Sequence, residues 1–169
     1  MLTAHDSSVG VFLRNLHNLK NLLAKGEAHA VAAGTDPALL LRARLADDMM
    51  DLAAQVVWTT EAAKLAVGRL LGEVSPPSKA PIESFAELHR RIDDAIAWLG
   101  AVPAAEVEAG VERTIEIAWR GTSTTFGGSD FLLQFALPNF WFHFTSAYAI
   151  LRNQGVPVTK ADYTGLSFG

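Results

Sequence analysis

Pro138-Asn139-Phe140-Trp141-Phe142-His143-Phe144-Thr145-Ser146-Ala147-Tyr148-Ala149-Ile150-Leu151-Arg152-Asn153-Gln154-Gly155-Val156-Pro157 is the stretch whose reading decides the fold. At 100° per residue, Leu132, Ala136, Asn139, His143, Ala147 and Ile150 fall on one helical face. Gly155 supplies a C-terminal stop and Pro157 follows it. Upstream, Gly127-Gly128 breaks the chain and Ser129 reads as an N-cap. Pro138 either kinks this helix or begins it. Gln134, Pro138, Asn139 and His143 interrupt the apolar run Phe131–Phe144, so nothing in the chain reaches the 18 or more apolar residues of a membrane span.

Three further helices are predicted ahead of this one. The first covers about Asp6 to Ala33, with Val9, Phe12, Leu13, Leu16, Leu19, Leu23 and Ala30 on one face and Gly34 as its stop. Thr35-Asp36-Pro37 then provides a cap and a first-turn proline for a second helix, predicted to run unbroken to Leu71. Ser75-Pro76-Pro77 is a linker. The third helix spans about Ile82 to Leu99, carried by Phe85, Leu88, Ile92, Ile96 and Leu99, and is stopped by Gly100 and Pro103. Thr114–Trp119 instead alternates with period two. Arg120-Gly121 signals a turn and Thr122–Phe126 is β-branched and aromatic, so a short β-hairpin or extended loop lies between helices three and four. The tail Val156–Gly169 reads as extended and irregular. Long helices with short connections give an all-α four-helix bundle with an inserted hairpin, a single domain over residues 1–169.

Composition narrows the function classes. The chain has 169 residues, is 50% hydrophobic and carries a formal net charge of -4. That is enough apolar material for a core and too little charge for disorder. A pI of about 5.7 and the lack of any basic run argue against nucleic acid as a partner. With no cysteine, thiolate metal sites and cysteine nucleophiles are excluded. Residues 1–10 contain no secretory apolar region, and a cytoplasmic location away from membranes is expected.

Chemistry in a helical bundle sits on inward-facing polar side chains. On helix two, Leu41, Leu45, Met49, Leu52, Val56, Ala63 and Leu70 form the predicted face, with Arg44, Asp48, Gln55 and Thr59 on or beside it. Arg44 and Asp48 are four apart and suited to an ion pair; alternatively Asp48 faces a ligand or a metal. On helix four, Asn139 and His143 stack on adjacent turns. They either grip one ion or ligand, or form part of the core, with His143 hydrogen-bonded to Asn139 or to a neighbouring helix. A neutral amide is a poor transition-metal ligand. His17 and His89 are expected at the surface, His29 near the end of helix one, and His5 at a fraying terminus. Gly127-Gly128-Ser129-Asp130 opens a helix but lacks the lysine and the glycine spacing of a phosphate loop. No nucleophile-elbow pattern surrounds a serine, and Trp58, Trp98, Trp119 and Trp141 read as packing residues.

Apolar bulk also lies off the main faces: Met50, Val57, Trp58 and Leu65 on helix two, Trp141 and Tyr148 on helix four. Either a second subunit covers these side chains, making a C2 homodimer, or the hairpin and the tail do.

The Pro138–Pro157 stretch resembles the signature of a bacterial domain family of unknown function, similar to the DinB/YfiT-like superfamily. Phe12-Leu13-Arg14 with Leu16 and Asn18-Leu19, Lys25 with Glu27-Ala28-His29-Ala30, Ala43-Arg44-Leu45 with Asp48-Met49, and Gln55-Val56 fit it as well. The resemblance covers nearly the whole chain. It implies an up-down-down-up four-helix bundle, often dimeric. Metal-bearing members of that superfamily use three histidines, one on helix two and two spaced by four on helix four, and include metal-dependent transferases acting with low-molecular-weight thiols. Counted back from Leu151-Arg152 and Gly155-Val156, the second helix-four histidine falls on His143. The first falls on Asn139, and helix two has no histidine, with Asp48 its nearest inward substitute. Two functions are therefore expected as alternatives. One is a dimeric small-molecule-binding or structural module with a degenerate metal site at His143, Asn139 and Asp48, in a pocket also lined by Arg44, Gln55 and Thr59 and suited to a small apolar ligand. The other is a metal-dependent transferase or hydrolase in which a divalent cation, the one cofactor implied, activates a bound water.

Overall fold

A computed structural model describes residues 1–73, 76, 82–119 and 121–166. Ser75 and Pro77 of the expected linker, Arg120 of the expected turn, and the last residues of the tail lie outside the described residues. The first helix begins with a π-helical turn, Asp6–Gly10, and continues as α1, Val11–Ala32. Gly34 turns the chain, and Asp36 caps α2, Pro37–Leu41, by accepting a hydrogen bond from the Ala38 amide at 2.9 Å.

The predicted second helix is broken here. Residues 42–51 leave the helical path, and α3 starts afresh as Leu52–Leu71. Asp51 is its N-cap, with Oδ1 accepting from the Ala54 amide at 2.9 Å. The cap competes with helix continuation because a carboxylate that satisfies free helix-start amides is stabilised more there than inside a helix. Arg44 reinforces the break. It sits 3.5 Å from the Asp51 carboxylate and donates to the Met49 carbonyl at 2.9 Å. The expected Arg44–Asp48 pair does not form, and Leu45 and Met49 are on no helical face.

Helix α4 spans Phe85–Gly100, three residues later than its predicted start, because Ser84 takes the capping position and accepts from the Glu87 amide at 3.2 Å. A short helix that sequence reading had missed, α5, Ala104–Gly110, leads into the hairpin. Strands β1, Thr114–Trp119, and β2, Thr122–Gly127, pair antiparallel in the register Ile115↔Phe126 and Ile117↔Thr124. Ile115 and Ile117 are buried while β2 is largely exposed, so one face of the ribbon closes on the bundle.

The last helix begins at α6, Gly128–Phe131, capped by Gly127 rather than by Ser129. A Cβ on Gly128 would come within 2.5 Å of the Gly110 carbonyl oxygen, so only glycine lets the helix start seat against the end of α5. A π-helical stretch, Leu132–Ala136, follows and leads into α7, Leu137–Asn153. Pro138 sits in the first turn of α7. The widened turn just upstream absorbs the amide that proline lacks, so the helix neither stops nor starts at Pro138.

Parallel and antiparallel neighbours follow from side-chain contacts. Phe12 meets Phe140 with ring centroids 4.9 Å apart, and Leu151 packs against Gly26, so α1 runs parallel to α7. Gln55 meets His143 and Arg69 meets Phe131, so α3 runs antiparallel to α7. The core between them is mainly apolar, with Phe12, Leu16, Leu70, Leu88, Phe131 and Phe140 wholly buried. The tail is not irregular throughout. Thr159 and Asp162 form a reciprocal capping box that starts α8, Lys160–Thr164. Tyr163 stacks on Phe144 at 4.6 Å and closes on Trp141 and Tyr148, while Asp162 pairs with Lys25 of α1. The tail thus covers two of the side chains that suggested a second burial. No helix among the described residues is long and apolar enough to cross a membrane.

Candidate functional site

His143 is the polar centre of the α3–α7 seam. It is 8% exposed, and its neighbour across the seam is Gln55, 1% exposed. Nδ1 and Gln55 Oε1 are 2.8 Å apart. The Gln55 amide nitrogen points the other way and donates to the Met50 carbonyl at 3.4 Å, which fixes the carboxamide orientation. Nδ1 therefore carries the imidazole proton and donates to Gln55. Nε2 is left as a lone-pair acceptor with no hydrogen-bond partner among the described residues. Trp58 lies nearly parallel to the ring, centroids 6.0 Å apart, and Phe142 meets it edge-on at 5.3 Å. Burial in these aromatic surroundings pushes the His143 pKa down to about 4 from its usual 6.5, so the ring is neutral at physiological pH.

His143 lines a cavity of about 370 Å³, at the small end of the range for ligand pockets. Three parts of the chain build most of it, and Met50 and Pro76 complete the lining. Helix α3 contributes Trp58, Ala62, Leu65, Ala66 and Arg69, spaced as one stripe over about three turns. The π-helical stretch and α7 contribute Phe135, Ala136, Asn139 and His143, with Phe131 just before them. Ile117 and Ala118 of β1 close the top, so the hairpin caps this cavity. Phe131 and Phe135 stack at 5.9 Å, and Phe126 of β2 buttresses both.

The charged end of the cavity is Arg69. It has no carboxylate partner among the described residues. Its guanidinium lies 6.0 Å from the centre of the Phe131 ring and donates to the Leu65 carbonyl at 3.4 Å. Burial lowers its pKa from the ordinary arginine value, as desolvation does for any cation.

The structure brings together three of the residues singled out in the sequence: His143, Asn139 and Gln55. Thr59 is buried on the same side of α3, but its hydroxyl donates to the Gln55 carbonyl one turn back at 2.8 Å. Asp48 and Arg44 are outside the site. Both are exposed, on the segment between α2 and α3, and neither lines the cavity. Desolvating an aspartate without a cationic partner is costly, whereas this segment leaves it in water. His89, expected at the surface, is half-buried with Nδ1 enclosed and unpartnered among the described residues. Sequence reasoning missed Arg69, Phe131 and Phe135. Arg69 was legible as the end of the Trp58–Leu65 stripe. The two phenylalanines were not, because a π-helical turn rotates their side chains away from where an ideal helix would place them.

The donor set does not fit the three-ligand metal centre that the resemblance implies. One imidazole nitrogen and one neutral amide face the cavity, and no group of three histidine, aspartate or glutamate side chains able to hold an ion exists among the described residues. Zinc and similar ions take three or four anionic or imidazole ligands.

Comparison with known proteins agrees with the fold. A crystal structure of a DinB family member protein from Shewanella denitrificans is similar to this chain, with a TM-score of 0.87 and 35% sequence identity over 96% of this chain and 92% of that one. No curated protein matches the chain. Residues 4–164 match the family described as Domain of unknown function (DUF1993). With that match spanning nearly every described element, and with a bundle shared with a DinB family member, the chain belongs to the DUF1993 family within the DinB-like superfamily.

Proposed function

We propose that this protein binds a small, mainly apolar molecule in the cavity beneath the hairpin, without a metal. The observation that carries this reading is the neutral His143 ring, oriented by Gln55, with Nε2 unpartnered among the described residues, in the wall of a cavity shared with Trp58, Leu65, Phe131 and Phe135. A buried imidazole with its donor side satisfied and its acceptor side free is ready to accept from a ligand hydroxyl or N–H. Asn139, beside it, offers both a donor and an acceptor. No nucleophile, carboxylate or bound ion is needed for this role, and the metal-dependent transferase alternative lacks its ligands here.

The test is titration with N-phenyl-1-naphthylamine, a neutral apolar fluorophore carrying one N–H. Saturable binding at one site is expected. Leu65→Trp, which adds bulk to the cavity wall at a half-buried position, is expected to abolish it without unfolding the core. Absence of saturable binding, or binding unchanged by Leu65→Trp, overturns the reading.

A second copy of the chain is the partner we propose for the outer face of α7. Phe142 is 57% exposed there and Leu45, 40% exposed, lines the same shallow groove with Trp141 and Ala149. Apolar side chains clustered this way on two segments favour a self-complementary contact. A dimeric mass by light scattering at micromolar protein, reduced to a monomer by Phe142→Glu, is expected; a monomeric mass for the unaltered chain overturns it.

A further inference from the structure

We propose that the ligand of the hairpin-capped cavity is an elongated apolar carboxylate, with its anionic head on Arg69 and its body lying along the α3 stripe toward His143. This rests on the cavity being a ligand site, and it goes further by naming the chemistry of the occupant. Trp58, Ala62, Leu65, Ala66 and Arg69 share one side of α3, and the rise of a helix separates the first from the last by about 16 Å. The cavity is therefore long, with a polar group at each end and apolar walls between: Nε2 of His143 beside Trp58, Arg69 beside Phe131.

The two ends differ in charge. His143 is neutral and Asn139 cannot ionise, so neither demands a counter-ion. Arg69 is a permanent cation, and no Asp or Glu carboxylate lies within ion-pair distance of it among the described residues. Its one polar contact is the long bond to the Leu65 carbonyl. Half-buried Lys20 of α1, by contrast, is matched by Asp93. A half-desolvated guanidinium lying against an aromatic ring, with its remaining N–H groups free, presents the fork that a carboxylate fills with two parallel hydrogen bonds. No acidic side chain lines the cavity to repel an anion. A neighbouring cavity of about 250 Å³, lined by Glu61, Lys64 and Glu73 among others, carries acidic groups that the His143 cavity lacks.

The experiment compares three probes of equal chain length, decanoate, 1-decanol and decylamine, by calorimetric titration at pH 7.5, below their aggregation concentrations. The proteins are the unaltered chain, Arg69→Gln and Arg69→Lys. Decanoate is expected to bind about tenfold or more tighter than decanol, as a charge-assisted hydrogen bond to arginine would give. Arg69→Gln should erase that difference while leaving decanol binding unchanged, and Arg69→Lys should keep most of it. Equal affinity for decanoate and decanol, tighter binding of decylamine, or an acid preference that survives Arg69→Gln overturns the carboxylate assignment and leaves the cavity reading standing. Failure of all three probes and of the naphthylamine overturns both. Should Arg69→Gln fail to fold, the acid-to-alcohol ratio in the unaltered chain still decides.

Discussion

Two segments of this chain carry polar residues four apart on what reads as an amphipathic helix: Arg44 with Asp48, and Asn139 with His143. The structure treats them in opposite ways. Asn139 and His143 stay on a helix and face a cavity, while Arg44 and Asp48 lie on an exposed, non-helical connection. The difference is one of charge. A neutral imidazole loses little on burial once Nδ1 has Gln55, whereas a carboxylate needs a cation or water. Arg44 finds its carboxylate at Asp51 instead, where the same side chain also caps α3, and Asp48 is left to solvent. Helical spacing identifies which side chains could meet, and desolvation decides which of them do.

Substitutions can break that contrast, the buried seam first. His143→Ala should cost about 3 kcal/mol of stability, since it removes a packed ring and leaves Gln55 Oε1 enclosed without its donor. Chemical denaturation reads this directly, and a loss below about 1 kcal/mol would mean that the seam is not built around His143. Gln55→Leu keeps the volume and removes both the acceptor for His143 and the donor to the Met50 carbonyl, so about 2 kcal/mol is expected in the same assay.

Acid probes the seam without mutation. The folded protein holds His143 at a pKa of about 4 and the unfolded chain at its usual 6.5, so the unfolded state binds the proton first. The contribution of the neutral ring is complete above about pH 6.5, falls between pH 6.5 and about 4, and changes no further below that. The loss across this window should be about 3 kcal/mol, comparable to that of His143→Ala, because a shift of the folded pKa from 6.5 to about 4 carries that much linked free energy. Unfolding midpoints measured across this window in the unaltered chain and in His143→Phe should converge toward pH 4; parallel curves would assign the acid sensitivity to another group.

The exposed segment gives the smaller effects. Asp51→Ala removes the α3 cap and the Arg44 partner and should lose about 1 kcal/mol. Asp48→Ala should change stability by less than about 0.5 kcal/mol and leave naphthylamine binding intact. A large loss of either in Asp48→Ala would place this aspartate in the working part of the molecule and erase the contrast.

Much of this was readable before any coordinates. The alternation of Thr114–Trp119, the glycine at 121 and the stop at Gly155 are local signals, and the hairpin and the C-terminus of α7 follow them. So is the Thr159-x-x-Asp162 capping box, although the apolar pattern around it is too short to announce a helix. The break after Leu41 was harder to see. The residues 42–51 lack glycine and proline, and only the aspartates hint that a cap will outcompete the turn they interrupt.

The sequence by itself determined a helical bundle with an inserted ribbon, because apolar period and terminating residues act within a few positions of one another. It also singled out His143, since a lone imidazole on an apolar face must find a partner. What only the tertiary structure decided is which partner, and what else shares the space. Gln55 and His143 are 88 positions apart, and Arg69 becomes a cavity residue because Phe131, with Phe135, meets it from the far side of the seam. Those meetings depend on how α3 and α7 pack and on where the hairpin closes, and packing between distant segments leaves no periodic trace in either one.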